Sequence, residues 1–115
     1  EITTRLVGSE MCIRDSVLNK FTGARGKSGS NDANAEYVAR VRRIFDDHNV
    51  AFQTAELGKV DFGGGGTIAY IAALYGMEVI DSGVAVLSMH APWEVTSKAD
   101  VYEAYKAYKA FLLDA

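Results

Sequence analysis

The sequence predicts an α/β fold, a sheet layered by helices, and three observations carry that expectation. Hydrophobic residues make up 49% of the 115-residue chain and charged residues only 23%, enough apolar material for a packed core and too little charge for global disorder. Two segments, 35–48 and 98–112, place apolar side chains at helical spacing. Between and around them lie short apolar runs bounded by Gly, Ser, Asp and Asn, which read as strands. The length suits one small domain or part of a larger one.

Residues 1–16 come first and fit poorly with the rest. Leu6 to Ser16 has neither helical nor strand periodicity, and the segment 1–16 is read as a non-native or disordered leader, of the kind a conceptual translation of adapter DNA would append. Residues 17–115 are the patterned part. Val17 to Phe21 is a strand candidate, and Thr22 to Ser30 a loop in which Gly23, Gly26 and Gly29 alternate with Arg25 and Lys27. Asn31 or Asp32 is expected to cap the following helix, whose stripe is Ala35, Val38, Val41 and Phe45 with Ile44 beside it; the helix should end near His48 and Asn49.

Val50 to Ala55 reads as a strand and Lys59 to Gly66 as a glycine-rich loop. Thr67 to Tyr75 is a short, nearly all-apolar helix stopped by Gly76. The runs Met77 to Ile80 and Val84 to Met89, separated by Asp81-Ser82-Gly83, suggest buried strands. Ser97 or Thr96 caps the last helix, which presents Val101, Tyr105, Tyr108 and Leu112 as one stripe with Glu103, Lys106 and Lys109 opposite.

Composition excludes several functions. Twelve Lys and Arg against fifteen Asp and Glu give a net charge of −3, and the one dense basic cluster, Arg40, Arg42 and Arg43, is followed by Asp46 and Asp47, so no nucleic-acid partner is expected. No apolar run, neither Ile68 to Tyr75 nor Val84 to Leu87, is long enough for a bilayer. The single Cys12 has no internal partner, and no basic region followed by an apolar stretch marks a secretory signal. A cytoplasmic protein without membrane contact is the expectation.

Four features invite a chemical reading. Gly26-Lys27-Ser28 resembles the end of a phosphate loop, but that motif requires glycine five positions before Gly26, where Phe21 stands. Asp46-Asp47-His48 points in different directions on a helix, and His48 in a last turn suits the negative end of the helix dipole better than a metal. Gly63 to Gly66 either makes a sharp turn into a tightly packed helix or lets a substrate approach bare backbone at a helix start. His90 follows an apolar strand candidate, at the sheet end where α/β folds place ligands. A lone histidine there is more often structural than metal-bound, and a catalytic zinc needs about three protein ligands. Spacing alone stops at that point.

The run Val86-Leu87-Ser88-Met89-His90-Ala91-Pro92-Trp93-Glu94 continuing to Asp100 resembles the C-terminal signature of the aspartyl aminopeptidase and aminopeptidase I group, metallopeptidase family 18. Further blocks are similar to its bacterial branch: Asn19 to Gly23, Gly26 to Asn34, Gly58 to Asp61, and Gly63 to Tyr70. The resemblance implies a C-terminal fragment of a zinc-dependent exopeptidase, a partial α/β/α sandwich from a cytoplasmic enzyme that removes residues from peptide N-termini and assembles as a homo-dodecamer. It implies two zinc ions in the full-length enzyme, which polarise the scissile carbonyl and activate water beside a glutamate base.

Within that resemblance His90 is the last zinc ligand. Glu94 orients the loop or the imidazole. Lys20 matches a basic residue that contacts acidic substrate side chains, and Gly64, Gly65, Gly66, Thr67 and Met89 line the substrate pocket. Phe62 departs from the pattern where a polar residue is expected, and residues 1–16 match nothing in it. The other zinc ligands, the catalytic glutamate and the dimerisation domain would lie upstream of residue 17, so no catalytic residue is assigned here and the fragment alone is expected to be inactive. The alternative is a noncatalytic α/β association module derived from such an enzyme, using apolar faces like the last helix's stripe.

Overall fold

The computed structural model describes residues 16–19, 21–23, 30–55, 69–88 and 90–115. Its organising unit is β1 (Ser16–Asn19), α1 (Ala35–Asp47) and β4 (Phe52–Ala55), with β2 (Phe21–Gly23) and β3 (Ser30–Asp32) inserted as an antiparallel pair after β1. β1 and β4 run parallel in the register Ser16↔Phe52 to Asn19↔Ala55. Parallel neighbours need a crossover, and α1 lies on the chain path that supplies it. β1 begins at Ser16, the final residue of the segment read as a leader.

α1 starts where Asn34, in non-helical geometry, accepts the Glu36 N–H on its side-chain oxygen at 2.9 Å. The cap is therefore Asn34, and the expectation of Asn31 or Asp32 is corrected. Those two residues are committed to β3, where their backbone pairs with Phe21 and Thr22. The helix buries Val41, Ile44 and Phe45 of the expected stripe, while Val38 is half-buried and Ala35 exposed. It ends at His48, and Asn49 then takes a left-handed φ of 54°, which turns the chain toward β4. Asn tolerates that region better than most residues.

The third strand of the main sheet is β5 (Asp81–Gly83), antiparallel to β1 with Val17↔Gly83 and Asn19↔Asp81, so the order is β4-β1-β5. This corrects the strand reading of the neighbouring apolar runs. Met77 to Ile80 forms no strand, and among the described residues 84–88 only Val86–Leu87 does, with Leu87 half-exposed. The segment expected to connect two strands is itself the strand. Pairing is made by backbone groups, which do not distinguish Asp-Ser-Gly from an apolar run once β1 lies alongside. α2 (Ala69–Leu74) ends at Gly76, whose φ of +75° is the left-handed stop expected there.

α3 (Lys98–Asp114) opens on Ser97, whose hydroxyl accepts the Ala99 N–H at 3.2 Å. Its inward face is Ala104, Ala107 and Ala110, with Phe111 partly buried. Small side chains let α3 approach α1 and β1 closely, and Leu18, fully buried, sits among Val41, Ile44, Phe45, Val50, Ala107 and Ala110. Phe45 and Phe52 meet edge-on, with ring centroids 5.6 Å apart. The stripe Val101, Tyr105, Tyr108 and Leu112 faces outward, each about half-exposed or more.

Side-chain bonds tie α3 to its neighbours. Glu103 accepts the Ala51 N–H at 3.1 Å and pairs with Lys106 at 2.9 Å, Lys106 donates to the Asn49 carbonyl at 3.2 Å, and Tyr108 donates to the Ser82 carbonyl at 2.9 Å. No helix among the described residues is long and apolar enough to cross a membrane.

Candidate functional site at the hairpin tip

Of the residues singled out by chemistry, His90 and Glu94 lie together on one small hairpin. β6 (Val86–Leu87) and β7 (Val95–Thr96) pair antiparallel with Val86↔Thr96 and Leu87↔Val95. A short ladder is weak on its own. Here Thr96 adds a clamp, its hydroxyl donating to the Ala85 carbonyl at 2.8 Å across the base. The hairpin belongs to a separate two-stranded sheet, so His90 stands at the tip of this ribbon and not at an end of the main sheet.

Residues 88–94 form the connecting loop. The Ala91 N–H bonds the Ser88 carbonyl at 3.0 Å and closes a turn that carries His90. His90 has φ 68° and Ser88 φ 59°. Positive φ at the third position of a β-turn normally selects Gly or Asn. Each non-glycine residue held there costs about 1–2 kcal/mol, so the surrounding contacts must compensate. One such contact is explicit: Glu94 Oε1 accepts the peptide N–H of His90 at 2.6 Å. Of the two roles expected for Glu94, orienting the loop or the imidazole, the observed bond is to the loop.

A cavity of about 260 Å3 lies beside the hairpin, lined by both of its strands and by Ser97 and Asp100. Asp100 is almost fully buried in the first turn of α3, where the helix dipole favours a carboxylate. Sequence reasoning gave Asp100 no role and read Thr96 only as a possible helix cap. An acidic residue three positions after the Ser97 cap and a hydroxyl on the strand facing Ala85 were the available signals.

The other assigned residues divide. Lys20, Gly64, Gly65, Gly66, Thr67 and Met89 lie outside the described residues. His48 caps α1, its N–H bonding the Ile44 and Asp46 carbonyls, and its ring Nε2 meets the Asp114 carboxylate at the end of α3. That contact joins two helix ends and gives His48 a structural partner.

Zinc, which the family resemblance implies, requires a set of donors that this hairpin does not complete. Among the described residues no three of His, Cys, Asp and Glu stand close enough together to hold a metal ion. His90 offers one exposed imidazole, and Glu94 is engaged with backbone. The described residues by themselves do not fit the ion.

The family profile described as "Aminopeptidase I zinc metalloprotease (M18)" matches residues 16–112. A Clostridium acetobutylicum protein named "Probable M18 family aminopeptidase 1" is 69% identical over 96 residues, covering 84% of this chain and 21% of that protein. A Thermotoga neapolitana protein of the same name is 57% identical over 97 residues, covering 84% and 22%. The crystal structure of aminopeptidase I from Clostridium acetobutylicum superposes with a TM-score of 0.76 at 67% identity, over 85% of this chain and 22% of that one. An M18-family aminopeptidase structure from Thermotoga maritima gives a TM-score of 0.80 at 52% identity, over 88% and 22%. The chain thus spans about a fifth of the length of the curated relatives it matches. With the profile covering nearly all of the patterned sequence and two solved folds superposing over most of the chain, this chain belongs to the aminopeptidase I zinc metalloprotease family, M18.

Proposed function

We propose that this chain is the C-terminal part of the catalytic domain of a zinc metalloaminopeptidase, and that His90 supplies one of the metal donors. The observation that carries the reading is the left-handed turn at His90, held by Glu94, within a segment matched to the family from residue 16 to 112. Strain kept at an exposed turn is expected where an imidazole must stand in one place. The leader read over residues 1–16 would end before Ser16, which belongs to β1, and the rest would be one portion of an α/β/α sandwich completed by upstream sequence. Lys20, the Gly64 to Thr67 backbone and Met89 would line the peptide pocket. The whole enzyme would hold two zinc ions, assemble as a homo-dodecamer, act on peptide N-termini and work in the cytoplasm.

One imidazole does not hold zinc at useful affinity, so the isolated chain should bind no metal tightly and cleave nothing. The decisive experiment grafts residues 16–112 into the matching segment of the Clostridium acetobutylicum aminopeptidase, to which they are 69% identical over 96 residues. The chimera should hydrolyse aminoacyl chromogenic substrates. Its His90→Ala variant should lose more than the roughly 100-fold that outer-shell losses at metal sites cost, together with bound zinc. Full turnover and metal content in that variant would refute the assignment.

A second reading draws on the exposed face of α3, where Tyr105 is 57% and Leu112 82% exposed. That face suits a noncatalytic association module. An inactive chimera, together with a stable homo-oligomer of the isolated chain by sedimentation, would decide for it.

A further inference from the structure

The turn that carries His90 contains two backbone conformations that neither Ser nor His prefers, and they flank a single residue. Ser88 at φ 59° and His90 at φ 68° both lie in the left-handed region. Left alone, either would relax to the β or right-handed region, and the Cβ of His90 would swing with it. The Ala91 to Ser88 bond closes the turn but leaves the amide of His90 itself to be satisfied elsewhere.

Glu94 satisfies it, and its position explains how. Val95, the next residue, is fixed opposite Leu87 in the hairpin ladder, and Thr96 is clamped to Ala85. The carboxylate is therefore delivered from an anchored strand end back across Pro92, which has no N–H of its own to compete. At 2.6 Å the Glu94 oxygen is in direct hydrogen-bond contact with the His90 N–H.

We infer that Glu94 is a positioning residue for His90 that acts through the main chain: its carboxylate holds the His90 peptide N–H and locks the left-handed turn that fixes where the imidazole stands. The inference rests on the reading of His90 as a donor for its functional consequence, but the lock itself is a property of this chain. Donor groups must be held to within about half an ångström to serve a site. A turn free to relax does not meet that tolerance. Asp at position 94 would be too short to reach, whereas Gln retains an acceptor oxygen at the same distance along the side chain.

The test is amide hydrogen exchange by NMR on the 115-residue chain and its Glu94→Ala and Glu94→Gln variants, with the Leu18 and Val41 amides reporting that the core is intact. Glu94→Ala should speed exchange at His90 about tenfold or more, and Glu94→Gln should stay within about threefold of the parent. Unchanged His90 exchange in Glu94→Ala overturns the proposal, and so does a Glu94→Gln variant as unprotected as Glu94→Ala. In the chimera, Glu94→Ala should lower kcat about tenfold with KM held within about twofold, a split that general loosening of the fold would not produce. Unchanged kcat also overturns it. A harmless His90→Ala substitution would instead remove the donor reading, whatever the His90 amide does, so the two failures are distinguishable.

Discussion

Leu18→Ala offers the sharpest test of how the sheet is held to its helices. Leu18 is fully buried on the central strand, in contact with the cluster formed by Val41, Ile44 and Phe45 of α1 and Ala107 and Ala110 of α3. Removing its three terminal carbons forfeits about 2 kcal/mol of transfer free energy. The facing α3 residues are alanines on a regular helix and cannot extend into the gap, so a cavity contribution is added. An apolar hollow of about 180 Å3 already borders Leu18, Phe45, Ala107 and Phe111, and truncation enlarges it. Together these give about 3–4 kcal/mol, inside the range known for buried Leu→Ala changes. For a domain of this size that is a large share of total stability. Urea unfolding followed by far-ultraviolet circular dichroism should show the midpoint falling by about 1.5–3 M at an unchanged slope. Leu113→Ala, at a side chain 66% exposed on the same helix as Ala107 and Ala110, is the control and should change stability by about 0.5 kcal/mol or less. Equal effects at the two positions would refute the assignment of Leu18 to a packed core.

Two smaller perturbations probe single contacts. Tyr108→Phe removes the donor to the Ser82 carbonyl at 2.9 Å while keeping the ring, and should cost about 1 kcal/mol in the same unfolding assay. Gly76→Ala should cost about 1 kcal/mol through its φ of +75° alone, since nothing lies within 4 Å of the added methyl; a neutral result would mean that α2 does not end in the left-handed conformation.

The candidate site was legible in the sequence only in part. Ser88-Met89-His90 and Glu94 stood out through their resemblance to a family signature, and residue types alone did not promote His90 above an ordinary histidine. The bond from His90 to Glu94 depends on a left-handed turn that no propensity favours at Ser or His, and it follows from the hairpin that anchors both ends of the loop. The absence of a full donor set among the described residues likewise follows from placement in space. His48, expected near the end of a helix, is the C-cap of α1, and its ring's partner Asp114 lies 66 residues away.

What the sequence determined by itself was chiefly helical. The Val41, Ile44 and Phe45 stripe, the Ser97 cap, the stop at Gly76 and the end of α1 at His48 are local matters, because a helix closes its hydrogen bonds within a few residues of its own chain. Strands find their partners far away, and there tertiary structure decided. It gave the place beside β1 to Asp81–Gly83 over the apolar runs on either side, and it turned the alanines of α3 inward while its tyrosines faced out. Both outcomes have one physical cause: backbone groups pair with whatever segment the fold brings alongside, and close helix packing on β1 and α1 admits only small side chains.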